Sequence, residues 1–171
     1  MNERERRKRE LLTPLYFEAG AALFDCQGLE LALAMLLHYF ARLGFIPVST
    51  ARTLAILDDS EKRTAGQIMA ILMEHCTTSA GIQNALEAAL AARNRLIHRF
   101  LIDNVERMAD KTEREALVKE IRRLRATVQR GDKAIRPFVE AFNKAMDEVD
   151  LAEVRRRGEE LLFGSELSHD S

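Results

Sequence analysis

Leu90-Ala91-Ala92-Arg93-Asn94-Arg95-Leu96-Ile97-His98-Arg99-Phe100 is an apolar helical pattern broken by an arginine, an asparagine and a histidine. At roughly 100° per residue, Ile82, Leu86, Ala89, Leu90, Leu96, Ile97 and Phe100 fall on one broad face. Arg93 lies near the centre of that face. Asn94 and His98 stand four residues apart, as neighbours along one flank, with His98 roughly 140° around from Arg93 on an α-helical wheel. A guanidinium inside an apolar stripe is costly unless it is paired, so the stretch predicts an acidic partner on a packed neighbouring helix.

That partner is visible upstream. Thr13-Pro14 reads as an N-cap followed by proline at the first helical position. The helix it predicts runs to about Leu43, with Gly44 as its stop. Leu15, Ala19, Ala22, Leu23, Cys26, Leu29, Leu33, Leu37 and Phe40 share its apolar face, and Glu30 falls inside it. Two helices with opposite charges in their apolar stripes predict an ion pair, Glu30 with Arg93, closing to within about 6 Å.

The remaining chain is helical by the same criteria. Pro47 in Phe45-Ile46-Pro47-Val48-Ser49 makes that segment a connection. Two shorter helices follow, near Thr50 to Asp58 and Thr64 to His75, with Ser60 or Thr64 as the second cap. Thr77 to Gly81 is a polar break, and the fourth helix, from about Gly81 to Ile102, carries the opening stretch. Leu117, Ile121, Leu124, Val128, Gly131, Ile135, Phe138, Phe142, Ala145 and Val149 alternate four and three apart, a heptad-like seam. Gly131 and Pro137 weaken a helix, but the register survives both, which favours one long kinked helix over two. Asp150 with Glu153 resembles a capping box opening a short last helix to about Gly164. No strand-length alternation and no repeat occur, so the expected fold is all-α, an up-and-down helical bundle. Its expected divisions are a charged tail or helical lead-in (1–12), the main helical domain (13–150), the short last helix (151–164) and a disordered tail (165–171).

Composition agrees with this and removes function classes. Ala, Leu, Glu and Arg dominate, and Trp is absent, the usage of a helical protein. A net charge of −1 gives no case for non-specific duplex binding, which needs a clustered basic surface. Cys26 and Cys76 lack metal-ligand spacing and read as buried, reduced thiols. No HExxH, His/Cys cluster, phosphate-cradling glycine loop or GxSxG elbow is present, so metal, nucleotide and serine-hydrolase chemistry are unsupported and no cofactor is expected. His38 reads as a partly buried structural histidine, His75 and Cys76 as helix-end residues, and His169 as part of the tail. With no apolar leader segment and an apolar run, Leu29 to Phe40, too short to span a bilayer, the expected location is cytoplasmic, without membrane contact.

Arg93, Asn94 and His98 admit two readings from spacing alone: a structural pair with a surface histidine, or a site. Arg93-Asn94-x-x-x-His98 within a long helix resembles the R-x(4–6)-H signature of the HEPN superfamily, with the usual polar residue after the arginine. The Gln27-Gly28-Leu29-Glu30 stretch, the Thr64-Ala65-Gly66-Gln67-Ile68 helix start and the long final helix are similar to small bacterial HEPN-like proteins, over about Pro14 to Val149. The resemblance implies an all-α bundle, commonly a homodimer, and metal-independent cleavage of RNA by 2′-hydroxyl transesterification in a cleft between two copies. By the same resemblance His98 would be the acid or base, Arg93 the phosphate ligand and Asn94 its helper, with Arg95 and Arg99 adding weaker backbone contacts. It also implies RNA-processing or toxin-type roles and an antitoxin or other protein partner. In HEPN toxins controlled by a nucleotidyltransferase, a modified tyrosine often lies two residues after the histidine. Here that position is Phe100, which puts such control in doubt. The alternative is a non-catalytic interaction module in which Glu30 and Arg93 are structural.

Overall fold

In the computed structural model, which describes residues 2–58 and 64–163, the fold is all-α, a helical bundle. The helices are α1 (Glu3–Arg42), α2 (Thr50–Leu57), α3 (Ala65–His75), α4 (Ala80–Asn94), α5 (Phe100–Asn104) and α6 (Lys111–Phe163). A π-helical turn (Arg95–Arg99) joins α4 to α5, and a short 3-10 turn (Arg107–Ala109) precedes α6. The chain divides into two compact units, Met1–Arg136 and Pro137–Ser171.

The ends of the elements follow from named side chains. Ser49 caps α2, and Thr64 with Gln67 forms a full capping box on α3. Ser79 caps α4, and Asp110 Oδ1 accepts from Glu113 N–H at 2.9 Å at the head of α6. Gly44 ends α1 with φ +76°. Gly44 N–H donates to Ala41 O, and Phe45 N–H to Phe40 O at 2.8 Å. This is a Schellman close, sealed by the edge-on contact of Phe40 and Phe45 at 5.9 Å.

Five sequence expectations need correction. First, Thr13 is not an N-cap. α1 begins ten residues earlier and runs through Pro14, and the Thr13 hydroxyl donates to Arg9 O at 2.8 Å. The charged lead-in is therefore helix, and proline is accommodated inside the chain's longest apolar helix. Second, Ala19 and Leu23 are exposed. The buried stripe runs through Leu15, Ala22, Cys26, Leu29, Leu33 and Leu37 and includes Glu18. Third, Ile97 is exposed and lies off the motif helix's core face. Fourth, beyond Pro137 the buried positions are Val139 and Met146, while Phe138 and Ala145 are exposed, so the seam slips by one residue at the proline. Fifth, α6 is continuous to Phe163. No new helix starts at Asp150, and the expected separate last helix is the end of α6. The side chains of Val149, Asp150 and Glu153, the Ser60 cap, Gly164, the tail 165–171 and His169 lie outside the described residues.

Within the first unit, Leu15, Ala22, Phe100, Leu117 and Ile121 form a core cluster linking α1, α5 and α6. Gly131 has a specific reason to be glycine. A Cβ there would lie 2.3 Å from Ala89 Cβ and 3.3 Å from Ala85 O, so α6 and α4 meet backbone to backbone at that level. Polar contacts reinforce α1 against α6. Glu18, almost fully buried, accepts from Arg122 Nε and Arg125 Nη1, both at 2.7 Å, and Arg125 Nε donates to Asp25 at 2.8 Å.

By length and composition α1 is apolar enough over Arg9–Arg42 to cross a membrane, with a mean hydropathy of 1.4 in its best window. The same helix carries Glu18, Asp25 and Glu30, each paired with an arginine of another helix, and its buried stripe is a bundle core.

Candidate functional site

The polar cluster forms where α1 passes the end of α4. Arg93, its side chain 12% exposed, directs Nε to Glu30 Oε1 at 2.6 Å. The expected ion pair is thus present, linking α1 to α4. Nη1 of the same guanidinium donates one N–H to Asn94 Oδ1 at 3.0 Å and the other to His98 Nε2 at 2.9 Å. Arginine has only donors, so His98 Nε2 accepts. In this arrangement the imidazole is neutral, with its proton on Nδ1.

The backbone explains how His98 reaches Arg93. An α-helix would place residues five apart on different sides, which is the basis of the 140° expectation. Arg95–Arg99 is instead one π-helical turn, with Phe100 N–H bonded to Arg95 O. A turn that closes i to i+5 winds through fewer degrees per residue, which brings His98 round towards the side of Arg93. The expectation that Asn94 and His98 share a flank apart from Arg93 is corrected accordingly: the three side chains form one group with Arg93 Nη1 at its centre.

Around the trio the electrostatics are mixed. Asn94 and His98 are exposed, whereas Arg93 and half-buried Glu30 form the base of the site. Arg95 is in an ion pair with Glu120, and Arg99 is 3.4 Å from Asp103. Arg107 reaches Glu113 at 2.7 Å and Glu120 at 3.5 Å, and donates to Asn104 Oδ1 at 2.7 Å. Hydrogen bonding to Glu113, ahead of its other interactions, holds Arg107 above the ordinary guanidinium value. The two arginines expected to make weak RNA contacts are therefore already partnered by carboxylates. This second network, Arg95-Glu120-Arg107-Glu113, was not evident in the sequence, because nothing in the spacing of residues 95, 107, 113 and 120 brings them together.

Under the site, Cys26 is wholly buried. Desolvation pushes its thiol up to about 11, so it has no nucleophilic character at neutral pH. Burial also raises the Cys76 thiol. Both cysteines are free. Phe100 is in the core at 6% exposure, so the position two residues after His98 is closed to modification as well as lacking a hydroxyl. His38 Nδ1 lies 2.9 Å from Thr53 Oγ1, whose single proton goes to Thr50 O at 2.8 Å. His38 therefore donates, a structural bond that ties α1 to α2. Among the described residues no group of three or more His, Cys, Asp or Glu side chains is placed to hold a metal ion.

No protein-family model, no curated protein and no solved structure matches the chain.

Proposed function

We propose that this chain is an HEPN-like, cytoplasmic endoribonuclease of RNA-processing or toxin type, cleaving RNA without a metal. The observation that carries the reading is the Glu30-Arg93-His98 chain of hydrogen bonds, with Asn94 attached to the same guanidinium nitrogen. None of the described bonds uses Arg93 Nη2. That nitrogen, Asn94 Nδ2 and His98 Nδ1–H are donors suited to a phosphodiester.

The chemistry follows from which atoms are occupied. An incoming phosphate oxygen takes over Arg93 Nη1, which releases His98 Nε2. The freed lone pair removes the proton of a ribose 2′-hydroxyl as that oxygen attacks phosphorus. The imidazolium so formed gives its proton to the departing 5′-oxygen. The products are a 2′,3′-cyclic phosphate and a 5′-hydroxyl. Glu30 fixes the guanidinium plane and acts through Arg93 as a positioning residue. The trio is assembled within each copy, and in the homodimer that the resemblance implies the cleft between copies would be lined by two such trios.

Single-stranded and transfer RNA incubated in EDTA with wild type and with His98→Ala tests this reading. Cleavage by the first and not the second is expected; equal cleavage, or none by either, sinks it. The alternative of a partner-binding module is favoured by one observation, that three of the guanidinium's N–H groups are satisfied internally. In that case His98→Ala leaves partner binding and folding alike unchanged.

A further inference from the structure

The outer face of α1 is built differently from its core face. Phe17, Phe24 and Leu31 are 71%, 76% and 54% exposed, and stand seven residues apart. Gly20 and Gly28 lie between them, within about 80° of the same arc at roughly 100° per residue. A Cβ at either glycine would meet nothing within 4 Å. Unlike Gly131, these glycines relieve no close approach within the chain, and each destabilises a helix interior relative to alanine. With flanking Tyr16 and Leu23 the bare apolar surface is on the order of 600 Å², taking about 200 Å² for each fully exposed side chain. That is the upper end of what monomers leave open, and near the ~800 Å² each partner contributes to a standard interface.

The order of the stripe is a palindrome: Phe17, Gly20, Phe24, Gly28, Leu31, bulky and small alternating at spacings of three, four, four and three. We propose that the chain pairs with a second copy of itself along α1, antiparallel and two-fold symmetric about Phe24. Reversal of a helix about residue 24 sets Gly20 against the partner copy's glycine at position 28, and Phe17 against its leucine at position 31. The two central phenylalanines then drop into the hollows that the glycines leave on either side. A surface that is its own complement under reversal is what an isologous two-fold contact requires, and an unrelated helix has no reason to match it. The inference supplies a surface for the homodimer of the proposed function, but rests on α1 alone. Failure of RNA cleavage leaves it standing, and a monomeric nuclease overturns it without touching the chemistry.

Sedimentation of the full chain is expected to give twice the 19.4 kDa chain mass, falling to the chain mass for Phe24→Glu with unchanged helical circular dichroism. Under oxidation Phe24→Cys should form a covalent dimer. Phe17→Cys should not link to itself but should link to Leu31→Cys when the two variants are mixed. Wild type gives the background, since Cys26 is buried and Cys76 half-buried. A wild type at chain mass overturns the proposal. A dimer indifferent to Phe24→Glu, or Phe17→Cys linking to itself as readily as Phe24→Cys, overturns it too.

Discussion

His98 shares a hydrogen bond with a residue that cannot accept one, and this determines what each substitution at the site should do. Removing the imidazole leaves Arg93 bound to Glu30 and Asn94 on an exposed rim, so His98→Ala should change stability by less than about 0.5 kcal/mol while abolishing cleavage. Arg93→Ala leaves Glu30 half-buried without its cation. Because Glu30 retains some solvent (34% of its side chain), the loss should be about 2 kcal/mol, below the 3–5 of a fully buried pair, as read by denaturant unfolding. Cys26 offers a control on the core under the site. Its thiol, pushed up to about 11 and sealed from solvent, should resist alkylation at neutral pH in the native protein and react only as the chain unfolds. Rapid native labelling of Cys26 would contradict the packing of α1.

At the scale of the elements, two positions show helices shaped by their neighbours. The π turn of residues 95–99 is one, since it brings His98 over Arg93 at the cost of a locally irregular ladder. The other is the crossing of α4 and α6 at Gly131. Gly131→Ala would force a methyl to 2.3 Å from Ala89 Cβ, and overpacking of this kind destabilises by about 1–3 kcal/mol. Ala89→Gly in the same chain should restore part of the loss. A double variant less stable than the two single effects combined would show that the helices do not meet there.

For the molecule as a whole, acid is the informative variable. His38 is held below its ordinary value of 6.5, first by burial and then by the charge of Arg42. Glu18 is held below 4.5, first by its hydrogen bond from Arg122, against an opposing effect of burial. In both cases the unfolded chain binds its proton at higher pH than the folded one. Stability should therefore rise with pH through each window: it falls once as pH drops below about 6.5 towards the folded His38, and again below about 4.5 towards the folded Glu18. Thermal melts across this range should lose the first step in His38→Gln and the second in Glu18→Gln.

Much of this was legible in the chain. Apolar positions three and four apart define the helices, and their charged exceptions, Glu30 and Arg93, identify the pair of elements that must touch, because an unpaired charge in a core stripe has no stable alternative. Gly44 and Thr64 mark element ends through local hydrogen bonds that need only near neighbours. What the sequence alone could not decide is where periodicity gives way. The π turn joining His98 to Arg93, the slip of the buried face at Pro137 and the run of α1 through Pro14 each depart from a uniform 3.6-residue period. The carboxylates that occupy Arg95 and Arg107, and the reason for a glycine at 131, depend on which distant backbone or side chain comes to lie opposite. Those are decided by packing between helices, where contacts far apart in the chain set the energy.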